Sequence, residues 1–288
     1  MIICPECETI LTRKNASWIC ENCGYKAETD NGIVCFDPKI DDDFADYDPA
    51  ALEVFYQYEK NHFWFRIRRD LIKDIFKRYV RNGEKVIEIG AGTGNISKML
   101  LQNGYDMAIG DVHKRALQQF DGGEITQKYQ FDVTKTPFRE HFDVIGIFDV
   151  LEHIEKDKLA IRKIHAMLKS GGRAIVTVPA HQWLWSKYDA THKRRYELET
   201  IRKIFENNGF DIVMAKNFFV SIVPLLYLRS ILYKSAGKEG SEELAEGQIK
   251  INRIVNIILY YILKAENKLL KKISPKIGGS IIIVAIKK

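Results

Sequence analysis

At 288 residues, with 46% hydrophobic and 28% charged side chains, the sequence has room for one full α/β domain and a small appendage, and it excludes a disordered chain. No stretch reaches the roughly 18 uncharged apolar residues of a membrane span, and no basic-then-apolar leader opens the chain, so a cytoplasmic protein is expected. The net charge of +6 is unevenly spread. The first fifty residues are acidic, a poor footprint for nucleic acid, whereas the stretch after about Val213 is basic and apolar and suits an anionic surface better.

Residues 1–36 read as a compact module. Cys4-x-x-Cys7 and Cys20-x-x-Cys23 are two knuckles twelve residues apart, a spacing that sets four thiolates around zinc rather than a disulfide framework. A ribbon of this size cannot bury enough core to fold alone, so the metal is expected to be structural. Cys35 sits in an apolar run and reads as a small buried hydrophobe. An acidic linker, 37–48, holds Asp41, Asp42 and Asp43 in a row and Pro38, and Asp48 is the expected cap of a helix starting at Pro49.

Segment 49–82 reads as helical, because Phe55, Phe63, Ile67, Leu71 and Ile75 recur at spacings of mostly three and four. Its run His62-Phe63-Trp64-Phe65, with Arg66, Arg68 and Arg69, is either core or a lid over a site. From residue 83 onward, strands (85–90, 105–110, 128–133, 142–148, 172–179) alternate with helices (96–102, 113–120, 158–168), the mark of a parallel doubly wound sheet. A helix over 197–207, stopped by Gly209, and strands at 211–219 and 280–286 complete the 83–288 domain. The last two strands are separated by a helical insertion, 220–277. Its segment 251–273 is amphipathic, with Ile254, Val255, Ile258, Tyr261 and Ile262 on one side and lysines and arginines flanking. Such helices pack on the sheet edge, pair in a homodimer, or lie on an anionic membrane to reach a lipid-linked acceptor.

The first predicted strand of the domain runs into Gly90-Ala91-Gly92-Thr93-Gly94-Asn95. Glycines there permit a tight turn and close approach of a ligand, and Asp111 ends the next strand about 20 residues on, where an acid can hold ribose hydroxyls. A dinucleotide dehydrogenase would place a third glycine at Asn95. The pattern present instead carries Glu88 two residues before the first glycine. Together with the runs GDVHKRAL, FDVTKTPF, FDVIGIFDVLEHI and LKSGGRAIVTVP in order, it resembles the class I S-adenosylmethionine-dependent methyltransferases over about residues 61–210. The resemblance implies a seven-stranded Rossmann-like sheet with an antiparallel final strand. It implies that Gly90, Gly92 and Gly94 pass under the methionine part of S-adenosylmethionine and that Asp111 holds the ribose. It also implies that Asp132 and Val133 flank the adenine and that Phe148 and Asp149 line the methyl-donor face. Capping of the turns that follow their strands is the alternative for Asp132 and Asp149.

A hydroxyl nucleophile needs a base, and Glu152, His153 and His192 are the candidates. The set Asp149, Glu152, His153 and His192 is similar to the acid-x-x-Glu-His and distant histidine of ubiquinone-pathway O-methyltransferases and small-RNA 2′-O-methyltransferases, where a divalent metal orients the acceptor. Here the first acid is Asp149 rather than Glu, so base, metal and structural readings stay open. His181, Trp183 and Trp185 either shape an acceptor pocket or pack a loop. The ribbon resembles that of the small activator subunit of tRNA, rRNA and release-factor methyltransferases, down to Gly32-Ile33, and the zinc module of a large-subunit rRNA guanine methyltransferase. The expected function is methylation of a small or lipid-like acceptor on oxygen. An RNA methyltransferase using the ribbon for substrate contact is the alternative. A cofactor-binding scaffold without activity is disfavoured by the intact glycine loop and acids.

Overall fold

Strands buried on both faces need apolar residues at consecutive positions, and 144–148, 174–178 and 281–285 supply them. The computed structural model describes residues 1–15, 17–37, 49–118, 120, 125, 127–234, 243, 246–247 and 249–288. The N-terminal module holds β1 (Thr12–Lys14), β2 (Ser17–Ile19), β3 (Lys26–Asp30) and β4 (Ile33–Cys35). Two helices follow, α1 (Pro49–Glu59) and α2 (Phe63–Tyr79). Then come β5 (Lys85–Ile89), α3 (Asn95–Gln102), β6 (Asp106–Asp111), α4 (Lys114–Gln118) and β7 (Gln127–Gln130). The second half runs β8 (Phe142–Phe148), α5 (Asp157–Met167), β9 (Leu168–Pro179), α6 (Leu198–Asn207) and β10 (Phe210–Phe218). It closes with α7 (Val223–Leu232), α8 (Arg253–Leu269) and β11 (Ser280–Lys287).

Strand order is β1-β2-β3-β4-β7-β6-β5-β8-β9-β11-β10. The block from β7 to β9 is parallel, and β11 lies antiparallel between β9 and β10. These seven strands are the Rossmann-like sheet expected from the sequence. The sheet itself has eleven strands, because the N-terminal module is joined to it edge to edge. β4 pairs parallel with β7, Ile33 opposite Lys128 through Cys35 opposite Gln130. The pairing continues past the strand: Phe36 N donates to Gln130 O at 2.8 Å, and Gln130 Nε2 donates to Asp37 O at 2.9 Å. The module thus covers an edge that would otherwise present unpaired backbone groups.

The two faces of the sheet carry separate cores. Ile87, Ile145, Ile147 and Val176 pack under α5 and α6, and this core continues into the N-terminal module through Ile2, Leu11, Ala27 and Phe36. Val86, Val144, Ile175 and Ile282 point the other way, into a core shared with α2, α3, α7 and α8. Phe138 is the joint of the first core. Fully buried, it meets Phe36 edge-on at 5.8 Å, and its ring also contacts Tyr129, Phe131 and Phe142.

Three expectations shift. The single helical segment after the linker is two helices, because His62 turns extended (φ −72°, ψ 134°) and accepts from Trp64 N, capping α2. The strand expected to reach Val133 stops at Gln130, because Asp132 caps a short 3-10 turn over 133–135. The insertion packs mainly against α2 rather than on a sheet edge. Leu259, Tyr260 and Leu263 are buried, Arg66 lies 3.6 Å over the Tyr260 ring, and Asn256 accepts from Phe63 N and donates to Asn61 O. Cys35 is buried, as its run suggested. The linker 38–48, with Asp48, and insertion residues 235–242 lie outside the described residues. No helix among the described residues is long and apolar enough to cross a membrane.

Truncating Phe138 to alanine is expected to cost about 3–5 kcal/mol, the usual range for a buried Phe. Because the ring joins both units, the loss should appear as a lower midpoint of one shared transition in denaturant unfolding. A variant in which the N-terminal module melts separately while the rest keeps its wild-type midpoint would contradict the shared core.

Candidate active site

The chain lays β5, β6 and β7 outward in one direction, then returns to place β8 and β9 on the other side of β5. The loops leaving the carboxyl ends of β5 and β8 therefore diverge, and a cleft opens between them. The β5 loop is the glycine turn. Gly90, Gly92 and Gly94 have φ of 70°, 51° and 73°, the left-handed region that glycine occupies without cost. A side chain on Gly90 would strike Val150, and one on Gly94 would enter the Phe120 ring.

Beneath the turn lie two buried acids. Glu88 accepts from the Ser97 hydroxyl, and burial pushes its carboxyl up to about 7. Asp111 accepts from Gly92 N at 3.1 Å and His113 N at 2.9 Å, and burial raises its pKa. Asp132 accepts from the amide and hydroxyl of Thr134 at 2.7 and 2.8 Å, the capping geometry foreseen as its alternative. Val133 is buried beside it.

A cavity of about 510 Å³ fills the cleft. Glu88, Gly90, Gly92, Phe148 and Asp149 line its sheet side; Asp111, Asp132 and Val133 do not line it. Phe55, His62, Trp64 and Phe65 of the α1–α2 segment line it from above, and the Thr93 hydroxyl donates to Glu59 of α1. Ile222, Leu225, Leu226, Ile249 and Leu259 of the insertion make an apolar wall. His181, Trp183 and Trp185 are not part of the lining. His181 pairs with Glu197 at 2.8 Å and stacks on Trp183, the loop-packing reading.

The loops after β8 and β9 carry the polar chemistry. Asp149, left-handed at φ 54°, pairs with Arg68 Nη1 at 2.9 Å and accepts from the Thr177 hydroxyl at 3.0 Å. Arg68 also donates to Phe148 O at 2.8 Å. Glu152 is fully buried and has no hydrogen-bond partner on either carboxyl oxygen among the described residues. Burial first, and Asp149 second, hold its pKa well above the ordinary value. His153 Nδ1 lies 3.2 Å from Thr191 O, and because a carbonyl only accepts, that nitrogen carries the proton in this contact. His192 meets His153 edge to face at 4.7 Å, and its Nδ1 lies 3.0 Å from Asp189 Oδ1. Asp189 is itself fixed by Arg195 at 2.7 Å and by Ser186 N at 2.8 Å. Burial alone would raise the Asp189 pKa, but the His192 contact and the Arg195 charge outweigh it, and the carboxyl is held below its usual range.

Ligand atoms of Glu152, His153 and His192 lie within 4.8 Å of one another. Asp149 stands apart from that group, since its carboxylate faces Arg68. The expected set of four is therefore a group of three. At the other end of the chain the Sγ atoms of Cys4, Cys7, Cys20 and Cys23 also gather within 4.8 Å, with pairs at 3.5–3.6 Å. That is far beyond a disulfide of about 2.05 Å and near the roughly 3.8 Å edge of a tetrahedron with Zn–S of about 2.3 Å. The cluster fits a zinc ribbon.

Residues 60–215, just over half the chain, match the family profile described as "Methyltransferase domain". The chain belongs to the class I S-adenosylmethionine-dependent methyltransferases. This methyltransferase is 31% identical over 127 residues to the ubiquinone/menaquinone biosynthesis C-methyltransferase UbiE of Azotobacter vinelandii, a match covering 38% of the chain and 49% of the relative. It is 27% identical over 196 residues to an uncharacterized methyltransferase of Bacillus cereus, covering 59% of the chain and 84% of that protein. The chain thus spans about half the length of the first of these relatives. A chain of the Haloferax volcanii complex between the Trm112 methyltransferase activator and a methyltransferase superposes with a TM-score of 0.54 at 13% identity, over 83% of this chain and 98% of that one. At that identity the likeness concerns the fold alone.

The methyltransferase site also uses residues that sequence reasoning passed over. Asp189 and Arg195 position His192, although they stand in the same run of sequence as the histidine. Arg68 was seen only as part of an aromatic-basic cluster. Asn256 and Glu266 brace the apolar wall, Glu266 by accepting from Val220 N and Ser221 N at 2.9 and 2.6 Å. A polar residue inside an apolar helical stripe is the signal that would have found the last two.

Glu88 gives a pH test. Its carboxyl ionises near 4.5 ordinarily and near about 7 in the fold. The stability of its neutral form is therefore full below about 4.5 and is lost as pH rises to about 7. Glu88→Gln should match the wild type at the acid end of that window and exceed it by up to about 3 kcal/mol above it, read by denaturant unfolding. Parallel pH profiles for the two proteins would show that burial of Glu88 carries no such penalty.

Proposed function

We propose that this methyltransferase moves the methyl group of S-adenosylmethionine to an oxygen of a small or lipid-like acceptor held in the 510 Å³ cavity. The observation that carries the reading is the cavity's two-sided lining: insertion residues Ile222, Leu225, Leu226 and Leu259 on one side, and His192 beside the buried Asp189 on the other. A chain of nucleic acid would need an open basic groove in that place, so the alternative RNA acceptor is the weaker reading. The names of the UbiE relatives, in ubiquinone and menaquinone biosynthesis, also support a small-molecule acceptor.

The residues present fit the cofactor. The left-handed glycines form a cradle in which a side chain would collide, Asp111 carries a buried carboxylate beside it, and Phe148 and Asp149 face the same cavity. Gly90, Gly92 and Gly94 would hold the methionine part, with Glu88 beneath. Asp111 would hold the ribose hydroxyls, and Asp132 with Val133 the adenine. When bound, S-adenosylmethionine supplies an electrophilic methyl group on a sulfonium. The α1–α2 segment and the apolar wall keep water from that place. Glu152, kept neutral by burial, offers a proton to hydrogen-bond the acceptor. His192 Nδ1 stands 3.0 Å from Asp189 Oδ1; with the proton on that nitrogen, Nε2 would present the lone pair that takes the hydroxyl proton, and Asp189 would stabilise the resulting imidazolium. His153 flanks it at 4.7 Å.

The test pairs binding with transfer. Asp111→Ala should weaken S-adenosylmethionine binding by about 1–3 kcal/mol in calorimetry. With methyl-labelled cofactor, label should enter a small-molecule or lipid fraction rather than RNA, in a base-stable methyl ether. His192→Gln should lower kcat by about 10²–10⁴-fold with cofactor affinity kept. Label in RNA, or on carbon, would overturn the acceptor assignment. Chelation that abolishes turnover, with ribbon zinc and cofactor binding intact, would make Glu152, His153 and His192 a divalent-metal site instead of a proton-transfer site.

We further propose that Cys4, Cys7, Cys20 and Cys23 hold one structural zinc. Purified protein should carry one equivalent, and Cys20→Ser should lose most of it together with thermal stability. Zinc content unchanged by that substitution would refute the assignment.

A further inference from the structure

Among the described residues, fifteen of the twenty exposed large hydrophobic side chains fall between Leu225 and Ile277. Helix α7 buries only Leu226 and Ser230, while Leu225, Leu228, Ile231 and Leu232 are each about half exposed or more. Helix α8 buries Leu259, Tyr260 and Leu263, yet Ile254, Ile258 and Tyr261, at spacings of four and three, form a stripe 51–68% exposed. A helix on the surface of a water-soluble domain turns polar residues outward. These two turn apolar residues both inward and outward, and exposed apolar side chains gathered in this number mark an interaction surface. At its rim Trp183 and Tyr227 meet edge to face at 5.7 Å, both about half exposed, the kind of amphipathic ring that settles at an apolar–water boundary.

The charge around the face selects the occupant. From 223 to 276 the sequence holds ten lysines and arginines against five acids, and over 250–276 the balance is seven to one, the single acid being Glu266. That acid is buried and spent on Val220 N and Ser221 N, so it does not offset the field outside. Lys271 is paired with Asp74 at 2.8 Å; Lys268 and Lys276 add to the cationic border. A symmetric dimer through this face would set the cationic border against its own copy, because a two-fold interface places the same patch on both sides. Anionic lipid headgroups complement it, and lipid chains accept the stripe between. The same helices also wall the cavity through Leu225, Leu226 and Leu259, and Leu225 belongs to both the cavity lining and the exposed face.

We propose that α7 and α8 form an interfacial docking face for an anionic lipid bilayer, with α8 lying in the headgroup plane and the cavity opening toward the lipid. The proposal rests on the lipid-like acceptor reading for its purpose, but its test reads binding rather than turnover. Full-length protein is sedimented with phosphatidylcholine vesicles, with and without phosphatidylglycerol, in the absence of cofactor. The protein should bind the anionic vesicles and not the neutral ones. Binding should weaken as salt rises from about 0.1 to about 1 M, where the screening length shortens from about 10 to about 3 Å. The triple substitution I254E/I258E/Y261E changes exposed positions only. It should cut binding by about tenfold or more while the thermal midpoint stays within about 2 °C of wild type. Lys268→Gln with Lys276→Gln should weaken binding to anionic vesicles without changing the fold. Absence of anionic binding at low salt, retention of binding by the triple variant, or a stable dimer in light scattering that the triple variant dissolves would each overturn the proposal. Vesicle binding without lipid methylation would sink the lipid-like acceptor reading and leave the docking face standing; lipid methylation without vesicle binding would do the reverse.

Discussion

The reversal of strand order at β5 and β8 is the constraint on which the rest of the molecule depends. It forces two loops apart at one end of the sheet; the glycine turn and the Asp149–His153 run lie on those loops, and the His192 run lies on the loop after β9. The glycine turn is left-handed at three positions, a side chain at Gly90 or Gly94 would strike Val150 or Phe120, and Gly92 delivers its amide to Asp111. Asp149 turns left-handed for the complementary reason: its amide bonds to Thr177 O on β9, and its carboxylate must still reach Arg68 on α2. A non-glycine residue in that region stores strain, and here an ion pair and a hydroxyl hold it in place.

Burial then sorts the acids of the site by their partners. Glu88 and Glu152 have a hydroxyl donor or no donor within the described residues, and both are pushed toward the neutral form. Asp189 has Arg195, Ser186 N and His192, and is pushed toward the charged form. The same chemical group thus provides a proton donor at 152 and a fixed negative charge at 189. Neutral Glu152 and charged Asp189 bracket the two histidines, which is the separation that acid and base roles require.

Much of this was legible in the chain. Each parallel strand and its following helix carried a local pattern, and the glycines, Asp111 and the cysteine knuckles are short motifs whose geometry is set within a few residues. What the sequence did not disclose is non-local. The pairing of β4 with β7 joins residues about 95 positions apart and needs only three β-branched or small residues, too short a run to signal a partner. The break at His62 was hidden because apolar spacing carries across it. Asp132 carries two readings in the sequence, lining and capping, and its contacts with Thr134 supply the cap, since the same acid after a strand serves either purpose until its neighbours are known. The acid-to-histidine grouping was visible in order of sequence, but that Asp149 would turn to Arg68 depended on where α2 lies.

The long insertion tells how such a sheet accepts an addition of this size. β10 and β11 pair over eight positions with Phe218 opposite Ser280, so the two ends of the insertion are pinned side by side before any of it folds. Loop-closure entropy grows only as the logarithm of length, so some sixty residues there cost little more than twenty. Because β11 runs antiparallel, its first residue stands beside Pro179, at the carboxyl end of β9. The insertion therefore leaves the sheet at the cleft end and nowhere else. From that position α8 meets the turn between α1 and α2, and Asn256 fastens it there through Phe63 N at 2.7 Å and Asn61 O at 3.0 Å. The segment that closes the site from the N-terminal side and the helix α8 that closes it from the C-terminal side are thus fastened to each other at the α1–α2 turn.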